Sequence, residues 1–545
     1  MSKIGCELTS LKNEGNKTLF KAILEVMRRE QEEIYLGGGT IAIEKQHGKG
    51  RLTARERIEH LIDPNSDFFE LGVYAAYGMY EEYGSPAASG TLIGIGSVSG
   101  QECMIVANDA TVKAGAYFEV TLKKTLRAQK IALENNIPII YLVDSAGVFL
   151  PLQDQVFPDE GHFGSIFYNN ARMSALGIPQ IACVMGPCVA GGAYLPVMCD
   201  KYIIVEGASM FLAGPALVKA AIGQEIDQDT LGGANTHSAI SGTTDFHEPD
   251  DISALERIRK IIDHTNISSE RAFRQSEVLE PDYHAEDLIK IFNPDSTGQY
   301  DILQVIARIV DGSNFEEFKS SYGKTIVCGT AKIGGMNVGI VANQRNIQRS
   351  ETGEMQMGGV IYSDSSDKAA RFIMNCNQDR IPIIFLHDVN GFMVGKTSEW
   401  GGIAKDGAKM VNAVANSIVP KITLVIGGSY GAGNYALSGR AYNPRFMFAW
   451  PSAKIAVMGG DQAAKTLSQI KLAKMGDVDD ATKQKIYDDI KSTYEIQSDP
   501  RYAAARMWVD EIIDPAETRQ VLIRSLKVIN HQTKMPSPNF GVLQV

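Results

Sequence analysis

Two glycine-rich turns are the residues whose types and spacing could do chemistry in this chain. VAGGAY contains Gly191 and Gly192, and YGAGNY contains Ala432 and Gly433. Each turn follows an apolar, strand-like run and precedes small residues that could begin a helix. Because glycine has no Cβ, backbone N–H groups at such a turn can approach an oxygen that gains negative charge. Close helix–strand packing would explain one such turn, but two matching turns favour two oxyanion sites.

A competing motif overlaps the second turn. Residues 427–431, GGSYG, satisfy the GxSxG pattern of a serine-hydrolase elbow, with Ser429 as the candidate nucleophile. That mechanism needs an acid and a histidine later in the chain, and only His531 follows. The corresponding first-half turn carries Pro187 and Cys188 instead of serine. A serine hydrolase is therefore a distant alternative.

Metal chemistry has little support in the sequence. The nine histidines show no HExxH spacing and the seven cysteines form no CxxC pair. Cys183, Cys188 and Cys199 cluster without a histidine among them, and we interpret them as buried thiols. GIGSVSG, residues 94–100, lies in a β-turn-β pattern and matches a dinucleotide loop only weakly. We predict no metal site.

Composition limits the class of protein. A chain of 545 residues is too long to fold around a single hydrophobic core. A net charge of −11 argues against broad nucleic-acid contact. No apolar run reaches the roughly 18 residues of a membrane-spanning helix. The N-terminus lacks the apolar core of a secretory signal and contains Glu7 and Glu14. These features predict a cytoplasmic location.

The chain contains a long internal repeat. IPIIYLVDSAGVFLP in the first half matches IPIIFLHDVNGFMVG in the second, and MIVANDA matches GIVANQR. Further downstream, IPQIACVMGPCVAGGAYLP matches VPKITLVIGGSYGAGNYAL, and MFLAGP matches AVMGGD. The offsets lie between 235 and 246 residues. So long and steady a period indicates two duplicated domains and not a solenoid of short units.

Within each half, short apolar strands alternate with helical stretches, as in right-handed βαβ units. The order fits a crotonase-like spiral, although the pattern would also permit a doubly wound sheet. We predict an α/β fold of two tandem crotonase-like (ClpP/crotonase) domains, spanning residues 17–268 and 285–540. The polar, turn-rich stretch 265–300 would hold the boundary. Before the first repeat, Thr53 and Glu56 fit a capping box.

Several long motifs together carry a family resemblance. They include ECMIVANDATVKAGAYF, YLVDSAGVFLP, GPCVAGGAYLPVM, GFMVGKTSEWGGIAKDGAKMV, GGSYGAGNYALSGRAYNPRFMFAWP and VMGGDQAA. Over roughly residues 40–545 the chain resembles the carboxyltransferase (β) subunits of biotin-dependent acyl-CoA carboxylases. It is most similar to the 3-methylcrotonyl-CoA carboxylase β subunits. Propionyl-CoA carboxylase β and glutaconyl-CoA decarboxylase α subunits are further relatives.

The resemblance implies an assembly as well as a fold. Family members form a homohexameric β core whose active site combines the N-domain of one protomer with the C-domain of another. They work with a biotin carboxylase and biotin carrier (α) subunit, and their substrate is a coenzyme A thioester. This chain has no AMKM-type biotinylation sequence. Biotin is therefore expected on a partner subunit.

The resemblance also implies roles for individual residues. Gly191 and Gly192 would hold the acyl-CoA thioester oxygen, and Ala432 and Gly433 the ureido oxygen of biotin. Since both developing charges reside on oxygen, two backbone holes would suffice without a side-chain base. The other implied contacts are Ser145, Ala146, Gly147, Phe149 and Leu150 on the CoA and acyl side, and Gly391, Phe392 and Val394 on the biotin side.

Two departures from the family pattern leave the substrate open. DSAGV stands where the family has DSGGA, so Ala146 and Val148 occupy the CoA turn. Residues 345–358 read as an insertion relative to methylcrotonyl enzymes. Propionyl-CoA or another acyl-CoA therefore stays an alternative substrate. A biotin-dependent acyl-CoA decarboxylase α subunit, which runs the same transfer backward, stays an alternative activity.

Overall fold

The computed structural model describes residues 2–268, 270–294, 298–350, 353–475 and 478–543. The chain forms two compact units. The N-terminal unit comprises Arg29–Glu270 and Ala504–Met507, and the C-terminal unit comprises Met1–Arg28, Arg271–Ala503 and Trp508–Val545. The domain ranges 17–268 and 285–540 stay predictions. Within the predicted boundary segment, residues 269 and 295–297 lie outside the described residues.

The first half of the chain holds the elements of the N-terminal sheet and its helices, together with the strand Ser2–Lys3, which belongs to the C-terminal sheet. In chain order they are β1 (Ser2–Lys3), α1 (Leu11–Tyr35), α2 (Thr40–His47), α3 (Ala54–Leu61), β2 (Phe69–Leu71), β3 (Thr91–Val98), β4 (Gln101–Asn108), α4 (Glu119–Asn135), β5 (Ile139–Ser145), α5 (Phe163–Ala175), β6 (Gln180–Val189), α6 (Tyr194–Val197), β7 (Lys201–Val205), β8 (Ser209–Phe211), α7 (Pro215–Ile222), α8 (Gln228–Gly232), β9 (Phe246–Glu248) and α9 (Asp251–Asp263).

The second half repeats this order and adds a helical hairpin. Its elements are α10 (Ile302–Ala307), β10 (Asn314–Phe318), β11 (Ile326–Ile333), β12 (Met336–Asn343), β13 (Gln348–Arg349), β14 (Met355–Gln356), β15 (Val360–Ile361), α11 (Ser363–Asp379), β16 (Ile383–Val389), β17 (Gly391–Phe392), α12 (Lys396–Trp400), α13 (Ile403–Ala415), β18 (Lys421–Tyr430), α14 (Ala432–Ala436), β19 (Phe446–Ala449), β20 (Lys454–Ala456), α15 (Gly460–Met475), α16 (Asp480–Ser498), α17 (Pro500–Ala505), β21 (Glu511–Ile512) and α18 (Thr518–Ile529).

The two units have equivalent sheets. In the N-terminal unit the strand order is β2-β3-β4-β5-β6-β7-β9, and β8 also pairs with β6. In the C-terminal unit the order is β1-β10-β11-β12-β16-β18-β19-β21, and β20 also pairs with β18. Each sheet has antiparallel strands at one edge, including the hairpin β3–β4 or β11–β12, and continues in parallel through the strand that ends at a glycine-rich turn. The predicted α/β duplication is confirmed.

Equivalent helices follow the two hairpins. α4 and α11 are both 17 residues long, and each ends at a left-handed residue, Asn136 or Arg380. Such a residue terminates the helix and redirects the chain into the next strand. Strands β5 and β16 are buried along their whole length, as expected where helices cover a parallel sheet. Among the described residues, no helix has the length and apolar character needed to cross a membrane.

The N-terminal unit contains a buried ion cluster beneath its sheet. α3 begins with the predicted capping box, in which the Thr53 side chain accepts from the Glu56 N–H and Glu56 binds the Thr53 N–H in return. This helix carries Arg57, whose guanidinium lies 2.9 Å from Asp144 and 2.8 Å from Asp251. Burial alone would lower the pKa of Arg57, but the two carboxylates outweigh it and raise that pKa.

Replacing Arg57 by methionine is expected to destabilise the N-terminal unit by about 3–5 kcal/mol, because it leaves two buried carboxylates without a cation. Chemical denaturation of both proteins would measure the free energy of unfolding. Lys123→Met is the matched control, since the exposed Lys123 forms an ion pair with the partly exposed Glu119 on the surface of α4. Its loss should cost about 0.5 kcal/mol or less. Equal effects of the two substitutions would contradict a stabilising role for the buried cluster.

Candidate active site

The first glycine turn follows β6 in the N-terminal unit. Ala190 adopts a left-handed conformation, with φ of 59°, and a short 3-10 turn over 190–193 leads into α6. A Cβ built on Gly191 or Gly192 would meet no heavy atom within 4 Å. Amides in the first turn of a helical segment have no acceptor inside it. The structure therefore leaves room for a ligand beside two backbone donors.

The turn after β5 lies against this site. A Cβ on Gly147 would come within 3.0 Å of the Val189 carbonyl oxygen, so glycine permits the close approach. The Ser145 hydroxyl donates to the Gly115 carbonyl at 2.6 Å and accepts the Gly147 N–H at 3.0 Å. The predicted CoA-side residues Ser145 and Gly147 are thus beside the first glycine turn. Ser145 shapes the turn, whereas Ala146 is the exposed residue of the three.

The two predicted acyl-side residues differ in their surroundings. The Phe149 ring stacks on Phe118, with centroids 4.4 Å apart, and meets Tyr83 edge-on at 5.1 Å. The neighbouring Leu150 side chain is 76% exposed. Phe149 therefore anchors this segment within an aromatic cluster of its own unit. Leu150 is the residue that is free to contact an acyl group.

The second glycine turn follows β18 in the C-terminal unit. Gly431 has a φ of 52°, and α14 begins at the exposed Ala432. Gly433 is buried, and a Cβ there would lie 2.6 Å from the Val389 side chain and 3.4 Å from Gly391. Glycine at position 433 therefore lets the start of α14 lie against the turn that follows β16. The structure brings Ala432 and Gly433 close to Gly391, and the roles of these residues toward biotin stay a prediction.

The other biotin-side residues lie on both sides of that turn. Gly391 has a φ of 129° and pairs with Val360 through the short parallel strands β15 and β17. Phe392 packs into the core, where a Cβ on Gly407 would come within 2.9 Å of its ring. Val394 is 74% exposed. Phe392 thus has a packing role, and Val394 is open to a ligand or partner.

A cavity of about 550 Å³ opens beside the second turn within the C-terminal unit. Its lining includes Gly431, Asn434, Tyr435, Val457 and Trp508. Backbone groups and aromatic side chains of this kind are typical of sites that orient a small ligand through a few polar contacts. The second turn therefore has both hydrogen-bond donors and an adjacent concave surface.

Buried aspartates support both turns. Asp144 lies against Gly186, and Asp388 lies against Gly427; in each case a Cβ on the glycine would come within 2.4 Å of the carboxylate. Asp388 accepts hydrogen bonds from the Gly428 N–H at 2.8 Å and from the Tyr300 hydroxyl at 2.9 Å.

Both carboxylates also have an arginine partner. Arg345 lies 3.3 Å from Asp388, and Arg57 is the partner of Asp144. Burial raises the pKa of Asp388, although Arg345 and the hydrogen bonds oppose this effect. Sequence reasoning missed both arginines, because no local pattern links them to an aspartate so distant along the chain. The aspartates brace the turns and are not exposed acid–base groups.

Arg345 also begins the predicted insertion, residues 345–358. The insertion forms the hairpin β13–β14, in which Gln348 pairs with Gln356. At its base, the Gly359 N–H donates to the Gln344 carbonyl at 2.8 Å. Residues 351 and 352 lie outside the described residues. The status of this segment as an insertion in the family stays a prediction.

Ser429 is not a hydrolase nucleophile in an elbow. It lies within strand β18, is 1% exposed, and accepts a hydrogen bond from Asn434 Nδ2 at 2.9 Å. Its hydroxyl also lies 2.9 Å from Nδ1 of the buried His387. The histidine beside Ser429 therefore precedes it in the chain, whereas the serine-hydrolase pattern requires a histidine after the nucleophile. The Ser429 hydroxyl is held between Asn434 and His387 and is not presented on an exposed elbow, although this residue also contributes to the wall of the adjacent cavity.

A fluorophosphonate probe is accordingly expected to leave Ser429 unlabelled in the folded protein, because the reagent must reach the hydroxyl to react. Intact-protein mass spectrometry would check this after prolonged incubation. A covalent adduct that disappears in Ser429→Ala would contradict the structural assignment. Protein that has been denatured and refolded before the incubation serves as the control for effects of handling.

The three clustered cysteines are buried or partly buried thiols, as the sequence indicated. Cys183 and Cys188 are buried, and Cys199 is partly buried. Burial raises the pKa of Cys188 to about 12, so the thiol is protonated at neutral pH. Among the described residues, no group of three or more His, Cys, Asp or Glu side chains could hold a metal ion.

Taken together, duplicated α/β units with a glycine-rich turn at the end of equivalent strands define a crotonase-like carboxyltransferase fold. A family model described as "Carboxyl transferase domain" matches residues 45–543. The probable mitochondrial methylcrotonoyl-CoA carboxylase β chain of Drosophila melanogaster is 48% identical over 540 residues, covering 95% of this chain and 91% of the relative. The biotin-dependent 3-methylcrotonyl-coenzyme A carboxylase β1 subunit of Mycobacterium tuberculosis is 48% identical over 519 residues, covering 94% of each.

A solved structure agrees with these matches. The geranyl-CoA carboxylase β subunit of P. aeruginosa superposes with a TM-score of 0.88 at 35% identity, and the match covers 100% of both chains. The chain belongs to the carboxyl transferase family, as a carboxyltransferase (β) subunit of the biotin-dependent acyl-CoA carboxylases. The relatives include mitochondrial and bacterial proteins. The cytoplasmic location stays a prediction.

Proposed function

We propose that this chain transfers a carboxyl group from biotin, carried by a partner subunit, to 3-methylcrotonyl-CoA. The observation that carries the proposal is the pair of glycine-rich turns, one in each unit, each with backbone amides beside open space or a cavity. The acyl group is proposed from the two relatives that are 48% identical and bear the methylcrotonyl name.

In the N-terminal unit, the amides of Gly191 and Gly192 donate to the thioester oxygen of the acyl-CoA. Negative charge accumulates on that oxygen when the acyl group becomes an enolate, so donors placed there stabilise the transition state more than the ground state. Each such donor is worth about 3–4 kcal/mol of barrier. The exposed Ala146 and Leu150 lie on the CoA and acyl side.

In the C-terminal unit, the amides of Ala432 and Gly433 donate to the ureido oxygen of biotin. Biotin, when bound, supplies the carboxyl group. Gly391 and the exposed Val394 follow strand β16, which pairs with the strand that leads into this turn. The 550 Å³ cavity, with Tyr435 and other aromatic residues in its wall, gives an apolar surface for the ring system.

The protein side chains near the turns do not act as the base. Asp144 and Asp388 are buried and bonded to Arg57 and Arg345 respectively. The Ser429 hydroxyl is enclosed. Catalysis by this chain therefore rests on holding two reactants and stabilising charge on their oxygens, which requires backbone donors in fixed positions.

A carboxylation assay tests the substrate. The chain is reconstituted with its biotin carboxylase and carrier subunit and supplied with ATP, bicarbonate and acetyl-, propionyl-, 3-methylcrotonyl- or geranyl-CoA. We expect the highest kcat/KM with 3-methylcrotonyl-CoA. A preference for propionyl- or geranyl-CoA would overturn the proposed substrate and leave the family intact. Failure to carboxylate any of the four, together with biotin-dependent decarboxylation of a supplied carboxylated acyl-CoA, would favour the decarboxylase alternative.

We also propose a homohexamer that binds a biotin carboxylase and carrier (α) subunit. The N-terminal unit exposes large apolar side chains that a monomer would keep in water, and such patches indicate subunit contact. They include Leu150, Phe157, Tyr168, Leu176, Leu212, Leu217, Ile222 and Ile240. Sedimentation is expected to give six times the 59.3 kDa chain mass. A monomer with full transferase activity would contradict the proposal.

A further inference from the structure

Helix α14 places the amides of Ala432 and Gly433, yet it is only five residues long. A helix this short has little stability of its own and depends on tertiary contacts. Three buried or partly buried polar side chains provide such contacts. Asn434 Nδ2 donates to Ser429 Oγ at 2.9 Å, and Ser429 Oγ lies 2.9 Å from His387 Nδ1.

The same chain of hydrogen bonds reaches the other end of the helix. His387 Nε2 lies at hydrogen-bond distance from the carbonyl of Leu437, the residue that follows α14. Because a carbonyl only accepts, Nε2 carries the proton and Nδ1 accepts from the Ser429 hydroxyl. The donors then run in one direction, from Asn434 to Ser429, from Ser429 to His387, and from His387 to Leu437. Ser429 Oγ both accepts and donates in this network, and both ring nitrogens of His387 have a partner.

The histidine fits this role only when it is neutral. His387 is fully buried, and burial lowers its pKa to about 4. At neutral pH the imidazole is therefore uncharged and can donate at one nitrogen while it accepts at the other. A protonated ring would lose the acceptor that Ser429 needs.

The N-terminal unit shows that the fold itself does not require this network. Val143 precedes Asp144 as His387 precedes Asp388, and Cys188 occupies the position of Ser429 within the equivalent strand. Ala193, which follows Gly192, corresponds to Asn434, which follows Gly433. All three equivalents are apolar residues or a buried thiol. The network is therefore one of the features that distinguish the second turn from the first.

We propose that His387, Ser429 and Asn434 are positioning residues that hold α14 so that the Ala432 and Gly433 amides can bind the ureido oxygen of biotin. Their role is to hold the helix, although Ser429 and Asn434 also line the cavity beside the turn. This inference rests on the proposed function of the second turn. It adds three side chains that neither the glycine motifs nor the hydrolase pattern would identify as part of a carboxyl-transfer site.

The sharpest test is Asn434→Asp, an isosteric change that replaces the donor to Ser429 with an acceptor. The holoenzyme is assayed for ATP-dependent carboxylation. Its transfer step is assayed in reverse, with the carboxylated acyl-CoA product as the carboxyl donor and free biotin as the acceptor. We expect kcat/KM for free biotin to fall by about 10- to 100-fold, because small displacements of a site carry such penalties. The KM for the acyl-CoA should change less than about twofold, since the first turn keeps its amides.

Matched variants separate positioning from general destabilisation. Asn434→Ala introduces the residue type that the N-terminal unit has at the equivalent position. It places no second acceptor against Ser429 Oγ, so kcat/KM for free biotin should fall less than in Asn434→Asp. Asn416→Asp changes an exposed asparagine after α13 and should leave both kinetic constants unchanged. Should Asn434→Asp fold poorly, Asn434→Ala and His387→Gln provide the same comparison between biotin and acyl-CoA.

The outcomes distinguish two kinds of failure. Equal losses toward biotin and acyl-CoA, or none, in a folded Asn434 variant would overturn the positioning network. If Ala432→Leu also left the biotin kinetics intact, the proposed role of the second turn itself would fail. If Ala432→Leu impaired biotin use while Asn434→Asp did not, the turn would keep its function and the network alone would be wrong.

Discussion

Gly192→Val should lower carboxyl transfer by about 100- to 1,000-fold while the protein still folds. A Cβ at position 192 meets no heavy atom within 4 Å, so the protein can accept the side chain without rearrangement. Its methyl groups would fill the space through which the thioester oxygen must approach the amides. Removal of one oxyanion donor typically costs a factor of about 100–1,000 in kcat. ATP-dependent carboxylation by the reconstituted holoenzyme measures the effect.

Gly15→Val is the control for this substitution. Gly15 lies exposed in α1, and a Cβ there also meets no heavy atom within 4 Å. The control should keep its activity, because only the position of the added side chain differs. Near-normal turnover of a folded Gly192→Val protein would remove the first turn from the mechanism.

Ala432→Leu should impair the use of biotin by a comparable factor. The residue is exposed at the first position of α14, so a larger side chain can be accommodated by the fold yet stands at the mouth of the second turn. We expect kcat/KM for free biotin to fall by about 100-fold. Acyl-CoA binding, measured by calorimetry, should stay close to that of the unmodified protein, because Gly191 and Gly192 are unchanged.

Ala481→Leu provides the matched comparison, since Ala481 is an exposed alanine near the start of helix α16. It should alter neither biotin use nor acyl-CoA binding. If Ala432→Leu instead weakened acyl-CoA binding and spared biotin, the two turns would have been assigned the wrong way round.

Much of this protein could be predicted from the amino-acid sequence because the relevant signals are local or repeated. The apolar runs that precede Gly191 and Ala432 predict buried strands, and the glycines that follow them predict turns. In each case the two signals lie within a few residues of each other. Repetition of the same order about 240 residues later indicated two equivalent domains. Thr53 and Glu56, three residues apart, likewise identified the start of a helix.

Only the tertiary structure showed which polar groups hold those turns in place. Arg57 is 87 residues from Asp144 and 194 from Asp251, and His387 is 42 residues from Ser429. Parallel strands and the helices that cover them bring such residues together, and no spacing rule relates them along the chain. Each buried polar group needs a partner to offset its desolvation, and many arrangements could provide one. The sequence by itself determined where backbone donors can be exposed, whereas the packed sheets decided which buried side chains keep them in position.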